Sequence, residues 1–377
     1  MPTCIGLMSG TSLDGVDGVL ADFDAATLRP TRLRAHIHAA MPEALAEEML
    51  ALNRSGVDEL HRAALAANAL MRLYADVVAR LLAEAGLAPD DVLALGAHGQ
   101  TVRHRPLAFD GIGYSLQLVN GALLAERSGI ATVCDFRSAD LAAGGQGAPL
   151  VPAFHAACFT HPGQDVAVLN LGGIANLTLL PAAGGVSGFD VGPGNLLMDL
   201  WSRRCGPHPY DVDGVLAASG AVLPDLLAEL LADPFFEQPP PKSTGRDHFH
   251  AEWLDRALRR TARGDADAAD IMATLAELTA VGVARALRAQ MPGVRRLRIC
   301  GGGAFNRHLM ARLRALLPGV EPESTAADGI PPDQVEALAF AWLAACRLSG
   351  RSASLPSVTG ARAARVLGAV YAAPARA

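Results

Sequence analysis

The sequence predicts an α/β fold built from two related domains. Three observations carry that expectation. Helical and strand-like apolar patterns alternate along the 377 residues, a length for which two domains of about 150 residues each is the prior. Two strand–turn–strand units rich in glycine and small polar residues stand about half a chain apart. A third glycine run follows a late buried strand.

The elements follow in order. Cys4–Met8 is a short apolar run, Ser9-Gly10-Thr11-Ser12-Leu13-Asp14-Gly15 a turn, and Val16–Phe23 a second strand. Glycine there permits a tight bend and close backbone approach. Residues 42–86 carry helical periodicity that stops at Gly86 and Pro89. Val92–Leu95 and Ala131–Cys134 read as strands. Val166–Leu169, then Asn170-Leu171-Gly172-Gly173-Ile174-Ala175-Asn176, then Leu177–Leu180 repeat the opening unit. Val215–Leu231 reads as helix with a boundary at Pro224, and Phe235–Asp247 as a stiff loop on Pro239-Pro240-Pro241. Ala251–Ala289 is helical, Leu297–Cys300 a buried strand, and Asn306–Leu317 and Glu336–Leu348 two further helices. The domains are expected at residues 1–145 and 146–377, with the last helices free to return to the first.

Composition excludes several classes. Charged residues at 19% and hydrophobic ones at 51% exclude a disordered chain. A net charge of −6 argues against a nucleic-acid or anionic-membrane surface. The longest charge-free windows contain prolines, glycines and asparagines or histidines, so no membrane span is expected. Asp14 and Asp17 fall where a signal peptide would be apolar, and the six cysteines form no CxxC pair; a cytoplasmic chain with reduced thiols is expected. Among 32 basic residues Lys242 is the only lysine, as where a compact ammonium is needed instead of a planar fork.

Six constellations could carry chemistry. Gly10, Thr11, Ser12, Leu13, Asp14, Gly15, Val16 and Asp17 present backbone N–H groups and two hydroxyls to one point, as a polyphosphate needs. Asp14 would repel phosphates unless a divalent cation intervened, which implies Mg²⁺. Gly172 and Gly173, with Asn176, form a second turn open to an anion. Gly301-Gly302-Gly303 before Asn306 is not a dinucleotide fingerprint; it suits a flat adenine or ribose, or close helix–strand packing. Asp190, between Gly188-Phe189 and the Gly192-Pro193-Gly194 turn, is a carboxylate at a strand end, a candidate general base or a helix N-terminal aspartate. His98 and Gln100, which point the same way if the strand continues through them, join Gln117, Asn120, Asp135 and Arg137 in a polar set suited to a hydroxyl-rich ligand. Lys242-Ser243-Thr244-Gly245-Arg246 lacks the glycines of a P-loop but suits an anion contact.

The full strings Ser9–Asp17, His98-Gly99-Gln100-Thr101, Asn170–Asn176, Gly188–Asn195 and Pro239–Arg246 closely resemble the anhydro-N-acetylmuramic acid kinase family, from Ile5 to about Ala345. The resemblance implies two actin-like, ribonuclease H-like ATPase domains with a central interdomain cleft. It implies an enzyme that uses ATP and water to open a 1,6-anhydro ring and phosphorylate O6 in cell-wall recycling. Asp190 would activate water, and residues 10–17, 172–176 and 301–306 would hold ATP and Mg²⁺, with Asp14 toward the metal. His98, Gln100, Asp135 and Arg137 would line the sugar pocket, with Arg137 or Lys242 meeting the lactyl carboxylate. A homodimer is implied as well. The chain departs from the pattern at Val191, where the family usually has Thr, and at Asp247, where it usually has Glu. Rival readings are a plain amino-sugar kinase, a non-catalytic sugar-sensing regulator of the same fold, and an actin-like filament former.

Overall fold

The computed structural model describes residues 1–10, 12–246 and 248–375. It divides into two compact units: Met1–Cys158 with the chain from Gln334 onward, and Phe159–Asp333.

In the first unit, β1 (Thr3–Met8), β2 (Gly15–Phe23) and β3 (Pro30–Ala40) form an antiparallel meander. β4 (Ala94–Ala97) runs parallel to β1, and β7 (Thr132–Cys134) parallel to β4. A last strand, Ala369–Tyr371, closes the edge antiparallel to β7. β5 (Gln100–Pro106) and β6 (Gly113–Leu118) form a separate hairpin. β1 and β4 are apolar because helices cover them: Ile5, Leu7, Leu95 and Ala97 are buried in one cluster with Leu70, Tyr74, Val77 and Leu81 of the helix Glu59–Ala85. The helix Val335–Leu348 lies against Gly6 and Gly96, where a Cβ would stand 1.8 Å from Ala337 O and 1.9 Å from Phe340 O.

The second unit repeats the plan. β8 (Val166–Leu171), β9 (Ile174–Leu180) and β10 (Ser187–Pro193) are an antiparallel meander; β11 (Arg296–Cys300) is parallel to β8 and β12 (Glu321–Ser324) parallel to β11. The order, three antiparallel strands followed by two parallel ones on the other side of the first, is that of the first sheet. The buried helix Ala268–Gln290 supplies much of the core, with Leu169, Leu171, Leu297 and Ile299 from the strands.

Several boundaries differ from the sequence expectation. Residues 42–86 form two helices, Glu43–Ala51 and Glu59–Ala85, and Ala251–Ala289 splits into Ala251–Arg260 and Ala268–Gln290; Gly56 and Gly264 lie in the breaks. The first unit also keeps residues 146–158, placed in the second domain from sequence. They are tied to it by Gln146 N–H donating to Thr359 O at 2.8 Å, by Arg29 Nη2 donating to Cys158 O at 2.7 Å, and by Phe154 packing on Trp342. Asp140, fully buried, accepts from Gly147 N, Ser354 Oγ and Thr359 Oγ1 and holds the same junction. Among the described residues, no single helix is long and apolar enough to cross a membrane.

Candidate active site

The first turn joins β1 to β2. Ser9 is buried and donates to Gly99 O at 3.0 Å, with Tyr74 Oη also 3.0 Å from its hydroxyl. It therefore anchors the turn. Leu13 N–H donates to Gly10 O, and Leu13 adopts φ 58°. Gly10 is open, with the nearest atom 3.6 Å from where a Cβ would sit. Ser12 and Asp14 are exposed, and the Ser12 hydroxyl donates to Asp14 Oδ1 at 2.6 Å. Thr11 lies outside the described residues. Val16 is buried in the core, so only its backbone faces outward. Asp17 is held by His36 Nε2 at 3.2 Å and His38 Nδ1 at 3.0 Å, and the His38 ring lies where a Cβ on Gly15 would be, 2.5 Å away.

Of the polar set of the first unit, His98, Arg137 and Gln117 are brought together, though by a different route than expected. The strand does not run through His98 and Gln100: β4 ends at Ala97, Gly99 turns the chain with φ 71°, and β5 starts at Gln100. Both side chains are nevertheless buried. The His98 ring packs on Phe340 at 4.8 Å, and Arg137 Nη2 donates to its Nε2 at 3.0 Å, which leaves the proton on Nδ1. Burial and then the Arg137 charge lower the His98 pKa to about 3, so the ring is neutral. Arg137 also donates through Nη1 to Gly147 O at 2.8 Å, and burial lowers its pKa to about 10. Asp135 adopts φ 56° and accepts from Ser138 Oγ. Gln117 donates to His98 O and Thr101 Oγ1. Asn120 is a helix cap, accepting from Leu123 N and donating to Asn68.

In the second unit, the β8–β9 connection is reduced to Gly172-Gly173. A Cβ on Gly172 would stand 3.5 Å from its nearest neighbour, Ile174 O, and one on Gly173 4.0 Å from Leu196 Cβ. Packing does not demand glycine at either place, and the backbone there is open to close approach. Gly194 is different: its Cβ would meet Gly172 O at 2.3 Å, and the turn is locked by Gly194 N–H to Gly173 O and Asn195 N–H to Gly172 O. Asp190, Asn176, Asn170 and Cys300 are register partners across β10, β9, β8 and β11, forming one polar row over the sheet.

Asp190 is the best-defined chemical group in this row. Phe189 and Val191 on either side are buried in the apolar core, which is where the chain's Val, in place of a Thr, belongs. The Pro-rich loop is fastened to the strand here: Asp190 N–H donates to Lys242 O at 3.0 Å and Thr244 N–H donates to Asp190 Oδ2 at 2.9 Å. Burial raises the carboxyl pKa to about 6, opposed by the Thr244 hydrogen bond. Lys242 points away from a ligand role: its ammonium donates to Phe235 O at 2.9 Å and lies 4.4 Å over the Phe235 ring, and burial lowers its pKa. Asp247 lies outside the described residues.

The late glycine run is mixed. Gly301, with φ 82°, and Gly303 are required by Leu171, which a Cβ would strike at 2.8 and 2.6 Å, whereas Gly302 is open to 4.0 Å. Asn306 caps the helix Arg307–Leu316 by accepting from Leu309 N at 2.9 Å. Sequence reasoning did not single out Thr244 N–H, His104 or Ser115; His104 and Ser115 belong to the hairpin β5–β6, which it did not recognise.

Two sheets of one strand order, each opening on a glycine-bearing hairpin turn, define a pair of ribonuclease H-like domains of the actin-like ATPase and sugar-kinase class. The model of the family described as anhydro-N-acetylmuramic acid kinase matches residues 2–373. Curated proteins of that name from Variovorax paradoxus and Albidiferax ferrireducens are 58% and 54% identical to this chain, each over 97% of it and 98% of the relative. The chain belongs to the anhydro-N-acetylmuramic acid kinase family. Among solved structures, the activator of 2-hydroxyisocaproyl-CoA dehydratase from Clostridium difficile with bound ADPNP has 12% identity and a TM-score of 0.47, covering 92% of this chain and 96% of that one.

Proposed function

We propose that the chain is an ATP-dependent kinase that hydrolytically opens the 1,6-anhydro ring of anhydro-N-acetylmuramic acid and phosphorylates O6, giving N-acetylmuramic acid 6-phosphate in peptidoglycan recycling. Membership of the family over residues 2–373 is the observation that carries this reading. Asp190 takes a proton from water as the water oxygen bonds to the anomeric carbon. The C1–O6 bond breaks, and its electron pair on O6 takes up the γ-phosphoryl group, releasing ADP. A carboxyl with a pKa near 6 suits this role, because it is ionised at neutral pH yet basic enough to accept the proton.

Backbone N–H groups at Gly10–Gly15 and at Gly172-Gly173 hold the phosphates of ATP, with Gly302 toward the adenosine. Among the described residues no three His, Cys, Asp or Glu are placed to hold a metal. The protein's share of a Mg²⁺ shell is then the exposed Asp14 carboxylate, which fits an ion that keeps water and phosphate oxygens as its other ligands. When bound, Mg²⁺ offsets phosphate charge during transfer. His98, Gln100, Asp135 and Arg137 hold the sugar. Cytoplasmic location and a homodimeric state belong to the same proposal, and sedimentation tests the latter.

The test is turnover with the anhydro sugar in ¹⁸O-labelled water, for wild type and Asp190→Asn. Label at the anomeric oxygen of a 6-phosphorylated product, with turnover lost in the variant, is expected. Phosphorylation of an intact amino sugar without label would establish a plain kinase instead.

A further inference from the structure

Lys242, the chain's only lysine, is left without a ligand role, yet its setting is unfavourable. It is half-buried and pairs with no carboxylate among the described residues; Glu237, which lies 4.0 Å from Arg285, acts on it only through space. A cation drawn out of water without a counter-ion costs free energy. What it holds instead is one carbonyl, Phe235 O at 2.9 Å, and one ring face, that of Phe235 at 4.4 Å. A point charge with rotatable donors suits that pair, whereas a guanidinium would leave most of its five donors unused.

The anchor is itself fixed. Phe235 is buried, with the Phe236 and Phe249 rings at 6.0 and 5.6 Å. Asp233 accepts from Phe235 N–H at 3.0 Å and from Trp253 Nε1 at 2.8 Å. On the other side two hydrogen bonds join the loop to β10: Lys242 O accepts from Asp190 N–H, and Thr244 N–H donates to Asp190 Oδ2. Residues 242–244 are thus gripped by the ammonium at one side and by Asp190 at the other. Asp190 Oδ1 accepts no hydrogen bond from the described residues, so it is the oxygen left to take a proton. No charged side chain among them acts on this carboxyl; burial and the Thr244 donor set its proton affinity. Asn176 on β9, and Thr279 and Gly282 where the helix Ala268–Gln290 meets β10, carry no charge.

We infer that Lys242 is a positioning residue for Asp190: by clamping residues 242–244 to Phe235 it keeps the Thr244 N–H on Oδ2 and leaves Oδ1 as the proton acceptor. The inference rests on the proposed kinase reading, in which Asp190 is the base, and gives the lysine a task in it other than substrate contact. Without the clamp the Thr244 bond weakens, and a carboxylate that loses a donor holds its proton more tightly.

The experiment titrates the full chain, labelled with ¹³C at its aspartate carboxyls, for wild type, Lys242→Met, Lys242→Gln and Lys242→Arg. The Asp190 signal is assigned by its loss in Asp190→Asn. Lys242→Met and Lys242→Gln are expected to raise the Asp190 midpoint by about one pH unit, the loss of one hydrogen bond to a charged acceptor, and Lys242→Arg by less than half as much. The acid limb of kcat/KM for the anhydro sugar should move with it, to about tenfold below wild type at pH 5 but within about 2-fold at pH 8.5, with the KM for ATP unchanged. Lys242→Gln and Lys242→Arg decide the matter if melting curves show that Lys242→Met does not fold. A lower melting temperature with the midpoint at its wild-type value would overturn the inference and make Lys242 a residue of stability alone, as would an equal loss of kcat/KM at both pH values. A shifted midpoint together with no turnover of the anhydro sugar by wild type would instead overturn the kinase reading, while the clamp on the carboxylate would stand.

Discussion

Burial sets Asp190 apart from the chain's surface carboxylates. Glu48 and Glu59 are held below their ordinary range chiefly by hydrogen bonds from Arg62 and Arg103, whereas Asp190 is raised from 3.8 to about 6 with one backbone donor to oppose burial. Two consequences have opposite signs. In the proposed reaction Asp190 acts as a base and must be ionised, so kcat/KM is expected to fall about tenfold per pH unit below pH 6. Its native pKa lies above the unfolded one, so the native state binds the proton more tightly and stability declines as pH rises from 3.8 through about 6. Asp190→Asn should therefore abolish turnover while raising the melting temperature at pH 7.5, by up to about 3 kcal/mol of stability, with the gain gone at pH 3. Calorimetry at the two pH values checks this. Asp190 was legible in the sequence from its flanking glycines and the turn behind it. The Thr244 donor was not, because it comes from 54 residues away.

At the scale of elements, the turn Gly172-Gly173 and the turn Gly192-Pro193-Gly194 lie against each other but carry their glycines for different reasons. Gly172→Ala should fold with stability within about 1 kcal/mol of wild type and raise the KM for ATP at least 10-fold. Gly194→Ala drives a methyl into Gly172 O and should cost about 3 kcal/mol or more; melting curves and ATP kinetics distinguish the two. Sequence pattern recovered β1, β2, β8, β9 and β11 because each is an apolar run bounded by glycine or asparagine. It missed β3, whose alternation of Arg32, Arg34, His36 and His38 reads as surface, and the hairpin β5–β6, where Arg103, His104 and Arg105 interrupt any apolar period. The β5–β6 turn also passes through Leu107 and Phe109 at φ 60° and 63°, residues that do not announce a turn. The polar residues of this unit were thus only half legible: His98 and Gln100 stood out by composition, while the pairing of His104 with Ser115 needed the strand register.

At the scale of the molecule, the first unit is discontinuous. The helix Val335–Leu348 packs on Gly6 and Gly96 and carries Phe340, which supports both the His98 ring at 4.8 Å and Phe136 at 5.5 Å. Gly96→Ala should destabilise the unit by about 3 kcal/mol or more, since Phe340 O stands 1.9 Å from the new methyl and the helix would have to lift off the sheet. Phe340→Ala should cost about 3–5 kcal/mol and weaken sugar binding more than ATP binding, a difference that separate titrations would read. On a ribosome, this arrangement imposes an order of events. The second unit, one uninterrupted stretch, can finish as soon as Asp333 has emerged, whereas the opening strands must wait for residues 335–371 to cover and edge their sheet. A nascent chain therefore completes the unit that carries Asp190 and Gly172-Gly173 before the unit that carries His98 and Arg137 is settled, and a product stopped at residue 333 would have the first without the covering helix of the second.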